Sequence, residues 1–420
     1  MPCEPHLIAE SRNEAGGSDG EALGRQHRDR GVTIDRRLRS GEAPDGALLA
    51  IWLLTAGCIA FAASTWPSPD AASGIMARTL PILASCAALA ATMLGLARTA
   101  WRLLGREACV ATCLLLPLNP LVLAAYLPQA DGALAWQMAA GALAVWSLSA
   151  RHAGWGTLLA GCAMGAGCAL GPTLWPVAAT MGVLLFARWL GDHRASGGFT
   201  GYLKSFAAVS LPVALGQEVI FGRLACGTSG LALPAAMTAL LAGAVGLERI
   251  PRLAPAMLAG GMSIIVAAAL GVAASLPLAC GQTPFASLAA GPAISGTSGF
   301  ALALPPVVLG LGASLYLWRG SGEWLRRWWS DYAWILATAG IGGIVVPGLL
   351  AVAMCLAAMP LGWLAAQLLY GHKRGGSRRW WPASLAAILV IGSAAFAVTH
   401  TMPEQGTEGV VIAYADNVPR

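Results

Sequence analysis

The stretch GLLAVAMCLAAMPLGWLAAQLLY at residues 348–370 contains no charged side chain. An apolar run of about 20 residues is long enough to cross the hydrocarbon core of a bilayer as an α-helix. Hydrocarbon offers the backbone no hydrogen-bond partner, so such a segment must satisfy its own N–H and C=O groups as a helix. The stretch therefore predicts a membrane-spanning helix.

Comparable apolar runs recur through most of the chain. Of the 420 residues, 57% are hydrophobic and 11% are charged, whereas soluble domains carry about 25% charged residues. We therefore predict an all-α fold, a polytopic transmembrane helical bundle of about 12–13 spans. The short pairs on either side of Gly171 and Pro347 could each form one kinked or re-entrant element. The predicted spans lie at residues 47–66, 80–97, 108–127, 133–150, 155–170, 172–190, 205–220, 229–247, 255–278, 300–318, 333–347, 348–370 and 383–399.

Two tails flank the predicted bundle, which occupies residues 47–399. Residues 1–46 contain no apolar run, so we expect a disordered cytoplasmic tail, and the first apolar run would act as an uncleaved anchor. The arginines of this tail are either simply solvated or contact anionic lipids. Residues 400–420 are polar and are expected to form a short periplasmic C-terminal tail.

The distribution of Lys and Arg predicts the orientation, because cytoplasmic loops carry the excess of positive charge. Only Arg78, Arg223 and Arg420 fall on the opposite side. We predict an inner-membrane protein with a cytoplasmic N-terminus. Its net charge of +6 is divided among short loops, so no nucleic-acid partner is expected. Counted in alternate loops, the basic residues are Arg98, Arg102, Arg106, Arg151, Arg188, Arg194, Lys204, Arg249, Arg252, Arg319, Arg326, Arg327, Lys373, Arg374, Arg378 and Arg379.

Candidate chemistry is confined to the predicted outer face. The middle of each predicted span lacks ionisable residues, and this disfavours ion-coupled transport. At the outer face, a carboxylate can act as a base on an acceptor hydroxyl, and an arginine can neutralise the phosphate of a lipid-linked donor. We take Asp131 and Asp70 as candidate catalytic residues and the other four as candidate substrate-binding residues; alternatively, all are ordinary loop residues. The six are Asp70, Arg78, Asp131, Gln137, Glu218 and Arg223.

The ten cysteines show no Cys-x-x-Cys pattern and no His at ligand spacing, so neither a metal site nor a cofactor is predicted. Cys226 and Cys280 fall in predicted outward loops, where an oxidising compartment would allow a disulfide between them. Cys109 and Cys113 share one helical face and are interpreted as small packing residues.

Several short motifs follow one another along the first part of the chain: Leu80-Pro81, Ala97-Arg98, Gly105-Arg106, Pro117 to Tyr126, Pro128-Gln129-Ala130-Asp131 and Trp136-Gln137. Their order resembles the GT-C superfamily of membrane glycosyltransferases. More narrowly, it resembles an alphaproteobacterial group in which an outer loop reads Gly-Arg-Ile-Asp-His-His and a Gln follows. The segment Cys280 to Ala286 resembles the Cys and Pro-Phe/Tyr-Ala element of that group, and the match covers roughly residues 76–370.

The resemblance implies transfer of a sugar from a polyprenyl-phosphate donor on the periplasmic side, with outer-loop carboxylates as catalytic groups. Asp131 matches the motif aspartate, and Gln137 matches the later Gln with a slip of one residue. Gly132 and Ala133 replace the two histidines, and Asp70 is the only carboxylate of a short first outer loop. We therefore expect a degenerate, non-catalytic relative with membrane lipids as partners. An active glycosyltransferase that uses Arg78 or Arg223 for phosphate, or a lipid flippase or uncoupled carrier, is the alternative.

Overall fold

The computed structural model describes residues 45–65, 75–127, 132–149, 153–191, 198–221, 229–249, 257, 259–265, 267–268, 297–344 and 346–371. The chain divides into two units, Met1–Glu42 and Ala43–Arg420, and every described residue belongs to the second. Within these ranges the regular structure is helical and contains no strand, which confirms the all-α prediction there. The predicted span 383–399, the tail 400–420 and nearly all of the tail 1–46 lie outside the described residues.

The helices are numbered in chain order. They are α1 (Asp45–Thr65), α2 (Ile75–Leu104), α3 (Arg106–Leu118), α4 (Pro120–Ala125), α5 (Gly132–Leu148), α6 (Ala153–Leu170), a 3-10 turn (Pro172–Leu174), α7 (Trp175–Gly191), α8 (Gly198–Phe221), α9 (Ser229–Arg249), α10 (Thr297–Gly320), α11 (Glu323–Gly342) and α12 (Pro347–Gly371).

Two of these helices contain segments long and apolar enough to cross a bilayer. The segments are Thr79–Leu104 of α2, with 26 residues, and Gly348–Leu368 of α12, with 21 residues. The second is 83% buried inside the structure, so α12 forms the centre of the bundle. Gly362 of α12 lies against α3, where an added Cβ would be 2.6 Å from the backbone nitrogen of Thr112.

The predicted span 108–127 is wrong in its continuity, because the helix is interrupted at Asn119. Asn119 ends α3 in an extended conformation, and its side chain accepts hydrogen bonds from the backbone N–H groups of Leu121, at 3.1 Å, and Val122, at 3.3 Å. Pro120 disfavours a helical conformation for the residue before it and is itself well suited to the first helical position. The Asn-Pro pair therefore stops one helix and begins another.

The predicted span 333–347 is wrong at its start, because α11 begins at Glu323. The charged and tryptophan-rich stretch before residue 333 is helical, and Glu323 and Arg327 form an ion pair of 2.5 Å one turn apart. In the same way, α8 begins at Gly198 instead of residue 205. Apolar runs indicate only the hydrophobic part of a helix, whereas charged pairs spaced by four residues extend it.

Helices α6 and α8 pack closely and run parallel. A Cβ at Gly165 would lie 2.6 Å from the carbonyl oxygen of Phe206, and one turn earlier Gly161 lies against Tyr202. Small residues of this kind allow two helix backbones to approach each other. The contact is therefore formed by backbone against backbone.

Helices α6 and α7 are separate antiparallel helices, so the single kinked element considered for Gly171 is excluded. Tyr202 of α8 donates a hydrogen bond to the carbonyl oxygen of Ala178 at 3.1 Å, and Phe199 packs on Trp189 with ring centroids 5.7 Å apart. These two contacts show that α7 runs antiparallel to α8, to which α6 is parallel.

Helices α11 and α12 are likewise antiparallel, so Pro347 begins a new helix. The Tyr332 hydroxyl donates to the carbonyl oxygen of Leu356, and Gly342 lies against Leu349. Helix α10 runs parallel to α12, since Gly310 lies against Ala357 and the rings of Tyr316 and Trp363 are 5.8 Å apart.

These directions define two ends of the bundle. Helices α7, α10 and α12 finish at one end, and α8 and α11 begin there. We call this end the basic end, and we call the other end the opposite end. Helix α5 is parallel to α12, because Gly348 lies against Leu134 and Gly141 lies against Val352. The described basic residues of α7, α8, α10 and α11 at the basic end are Arg188, Lys204, Arg319, Arg326 and Arg327.

Helix α2 also finishes at the basic end. Thr112 of α3 lies against Gly362 of α12, whereas Tyr126, later in the chain, lies near Cys355, which is farther from the basic end. The chain from α3 to Tyr126 therefore runs away from the basic end, so α3 begins there and α2, which directly precedes it, finishes there. This places Arg98 and Arg102, near the end of α2, at the basic end, and the alternation read from the sequence thus corresponds to one charged end in the structure.

Replacement of Gly165 by Ala tests the close α6–α8 contact. We expect Gly165→Ala to lower the free energy of unfolding by about 1–3 kcal/mol, because the new methyl group meets backbone that cannot rotate away. Thermal denaturation of the detergent-purified protein measures the change. Gly312→Ala in α10 is the matched control, since nothing lies within 4 Å of its added Cβ. Equal melting temperatures for the two variants would contradict the packing.

Candidate functional site

Gln137 is the predicted site residue whose side chain the structure describes. Asp70, Asp131, Arg223, Cys226 and Cys280 lie outside the described residues. Arg78 belongs to α2 and Glu218 to α8, with helical backbone described at both positions and the side chains not described. The proposed convergence of these charged groups therefore stays a prediction.

The side chain of Gln137 is buried between helices near the start of α5. Gln137 is 2% exposed, although its amide carries two donor hydrogens and two acceptor lone pairs. Its nitrogen Nε2 would lie 2.5 Å from a Cβ added to Gly171. Glycine therefore leaves the space that the amide occupies, and the amide packs against the break between α6 and α7.

The break itself presents backbone groups without helical partners. Helix α6 ends at Leu170, and Gly171 and the 3-10 turn Pro172–Leu174 separate it from α7. The last carbonyl groups of a helix and the first N–H groups of the next have no partner within their own helices. The Gln137 amide thus lies beside a local excess of polar backbone groups.

The start of α12 completes the arrangement. A Cβ added to Gly348 would lie 3.1 Å from Cγ2 and 3.5 Å from Oγ1 of Thr173, and 3.5 Å from Cδ1 of Leu134. Thr173 is 9% exposed. We call this group the Gln137 cluster. It consists of Leu134, Gln137, Gly171, Thr173 and Gly348, and it lies at the opposite end of the bundle.

A second buried polar contact lies between α2 and the residue after α4. The Thr92 hydroxyl donates to the carbonyl oxygen of Ala88 at 2.8 Å, so its oxygen accepts the hydroxyl proton of Tyr126 at 2.6 Å. Thr92 and Tyr126 are both fully buried. The bond therefore fixes the end of α4 against α2, five residues before the chain reaches Asp131.

Sequence reasoning missed Thr173, Gly348 and the bond from Tyr126 to Thr92. The glycines were interpreted as general packing residues, and hydroxyl side chains within apolar runs give no signal of their partners. The interpretation of Cys109 and Cys113 as packing residues agrees with their complete burial in α3. Neither forms a disulfide in the structure.

The Gln137 cluster offers neutral hydrogen-bonding groups, an amide and a hydroxyl. Such groups suit sugar hydroxyls or phosphate oxygens, whereas proton transfer needs a group that titrates. Among the described residues, no group of three or more His, Cys, Asp and Glu is placed to hold a metal ion.

Comparison with family models, with curated proteins and with solved structures gives no match to this chain. The resemblance to the GT-C superfamily rests on its sequence motifs alone.

A double-mutant cycle tests the contact between Gln137 and Gly171. We expect Gly171→Ala to destabilise the wild-type chain, because the new methyl group meets Nε2 of Gln137. In a Gln137→Ala background the same substitution should be tolerated, with a coupling free energy of about 1 kcal/mol or more. Thermal denaturation of the four proteins gives the cycle, and additive effects would show that the two residues do not touch.

Proposed function

We propose that this chain is a multi-pass inner-membrane protein of GT-C-like architecture that is non-catalytic and binds a polyprenyl-phosphate-linked sugar or a related lipid at its opposite end. In this proposal the basic end and the N-terminus face the cytoplasm, and the C-terminus faces the periplasm. The observation that carries it is the polarity of the bundle. One end collects the described arginines of α7, α10 and α11, whereas the other holds the neutral Gln137 cluster.

Membrane insertion is supported by the large apolar side chains on the outside of the bundle. Leu54 is 72% exposed, Leu80 is 70% exposed and Trp155 is 73% exposed. Further exposed apolar side chains lie on α10 and α11. Exposure of many large apolar side chains is unfavourable in water, and it suits contact with lipid. The apolar segments of α2 and α12 support the same proposal.

A scaffold is favoured over a carrier by the packing around α12. A Cβ added to Gly310 of α10 would lie 3.0 Å from the Cβ of Ala357 in α12. Gly362 of α12 likewise contacts the backbone of Thr112 in α3. A carrier needs a polar path along the bundle, and direct contacts of this kind fill the space beside α12 in the described helices.

Glycosyl transfer is the second candidate, and one observation favours it. Asp131 directly precedes Gly132, the first residue of α5, and Gln137 lies in the second turn of the same helix. A base next to the Gln137 cluster would be near any sugar that the cluster binds. Under this candidate, Asp131 activates the acceptor hydroxyl and Arg78 or Arg223 neutralises the donor phosphate.

Cysteine labelling tests the orientation in the full-length chain. Ser321→Cys lies in the turn between α10 and α11, and Ile344→Cys lies just beyond the other end of α11, where Ile344 is 64% exposed. We expect a membrane-impermeant maleimide to label only the second variant in cells with a permeabilised outer membrane, and both after lysis. The wild-type chain supplies the background, and the reverse pattern would invert the orientation.

Mass spectrometry of envelope lipids and glycans tests catalysis. A deletion strain is complemented with the wild-type chain, Asp131→Asn or the matched variant Asp70→Asn. We expect Asp131→Asn to complement as well as wild type, since the proposal assigns no proton transfer to Asp131. A sugar that is restored by wild type and Asp70→Asn, and is lost with Asp131→Asn, would instead establish glycosyl transfer with Asp131 as base.

A further inference from the structure

The turn between α10 and α11 carries an excess of exposed positive charge. Arg319 ends α10 and Arg326 lies in the first turns of α11; both are exposed. Arg327, also exposed, pairs with Glu323 at 2.5 Å. In the described part of the chain, Arg319 and Arg326 form no ion pair, so their charges are available to an anion.

Helix α7 adds a further arginine to the same surface. Arg188 forms an ion pair with Asp331 of α11, with side chains that are 49% and 22% exposed. The like charges of Arg188 and Arg327 repel each other. Four arginines therefore face two carboxylates here, and an additional anion would relieve the repulsion between them.

The exposed face of α11 changes from charged to apolar along its length. Arg327, Trp334 and Ile341 recur at intervals of seven residues, which places them on one helical face. Trp334 is 62% exposed and Ile341 is 68% exposed. The face therefore begins at the basic end with Arg327, which is next to Arg326 in the helix, and continues as an apolar stripe.

Helix α10 repeats the pattern next to it. From Arg319 towards the opposite end, Leu315 is 47% exposed and Val308 is 56% exposed, whereas the ring of Tyr316 packs against Trp363 of α12. Both helices thus present arginine at the turn and apolar side chains below it. Trp318 and Trp324, at 37% and 45% exposed, lie beside the arginines, at the level where tryptophan favours a lipid headgroup region.

We propose that this face of α10 and α11 binds an anionic phospholipid. The phosphate contacts Arg319 and Arg326, and the acyl chains lie along Leu315 and Trp334. The inference rests on the proposed membrane insertion and adds a specific lipid partner at the end remote from the Gln137 cluster. A soluble anion would need the arginines alone, whereas the apolar stripes continuous with them match the tails of a lipid.

Native mass spectrometry of the full-length protein tests this site. The protein is delipidated in detergent and titrated with phosphatidylglycerol or with phosphatidylcholine of the same acyl chains. We expect tighter binding of phosphatidylglycerol. In Arg319→Gln/Arg326→Gln the affinity should fall about 30-fold, which is about fivefold for each arginine.

Two further variants separate this site from general electrostatic attraction. Arg102→Gln/Arg106→Gln removes the same charge from exposed positions of α2 and α3 at the basic end and should retain most of the affinity. Arg319→Lys/Arg326→Lys keeps the charge and should bind within a fewfold of wild type. Equal losses in the two Gln double variants, or no preference for phosphatidylglycerol, would overturn the site.

Glycerol 1-phosphate, the headgroup without tails, is the competitor. We expect it to displace the lipid only at concentrations far above that of the lipid, and displacement at equal concentrations would overturn the role of the apolar stripes. Extraction of cell membranes with alkaline carbonate is measured separately on the same variants. Release of wild type by carbonate would refute membrane insertion, whereas a carbonate-resistant chain without lipid preference would refute only the lipid site.

Discussion

The burial of α12 is the constraint on which the rest of the bundle depends. Its central segment has no charged side chain and no polar face, and Gly348–Leu368 is 83% buried. A helix that is apolar on all sides must be covered on all sides. Helices α3, α5, α10 and α11 cover it, and glycine or alanine at the crossings lets their backbones come close. The directions of these four helices, and hence the two unlike ends of the bundle, follow from that packing.

Close packing restricts which hydrogen-bond partners buried side-chain hydroxyls can reach, and several of them donate to backbone carbonyl oxygens. The hydroxyls of Thr92, Thr112 and Ser314 each donate to the carbonyl oxygen four residues earlier in the same helix. Tyr202 and Tyr332 instead donate to carbonyl oxygens of neighbouring helices. A backbone carbonyl has a second lone pair, so it can accept these bonds and keep its bond within the helix, and the tyrosine bonds add direction to otherwise apolar contacts.

The sequence predicted the helices well and their limits less well, for identifiable reasons. Apolar runs located the buried parts of α2, α6 and α12, and the alternation of arginines predicted one charged end. The first turns of α11 contain charged residues, so the search for apolar runs did not include them. The break at Asn119 and Pro120 was predicted as part of one continuous span, although both residues favour turns. Gln137 was singled out by its place in a motif. Its burial against Gly171 depends on a contact between residues 34 positions apart, and no local pattern contains it.

The two ends of the bundle differ in the kind of binding they can support. At the basic end the charges are exposed and lie on helix ends, so they suit a headgroup that also contacts water, and each contributes modestly because solvent screens it. At the opposite end the Gln137 amide is enclosed, and a buried polar group discriminates strongly between ligands that do and do not satisfy it. Selectivity for a lipid-linked sugar would therefore arise at the Gln137 cluster, while anionic lipid at the α10–α11 turn would hold the position of the bundle in the membrane. Because α11 and α12 connect the two ends as rigid, antiparallel helices, a lipid that fixes the turn also fixes the level at which Gly348 and Thr173 lie.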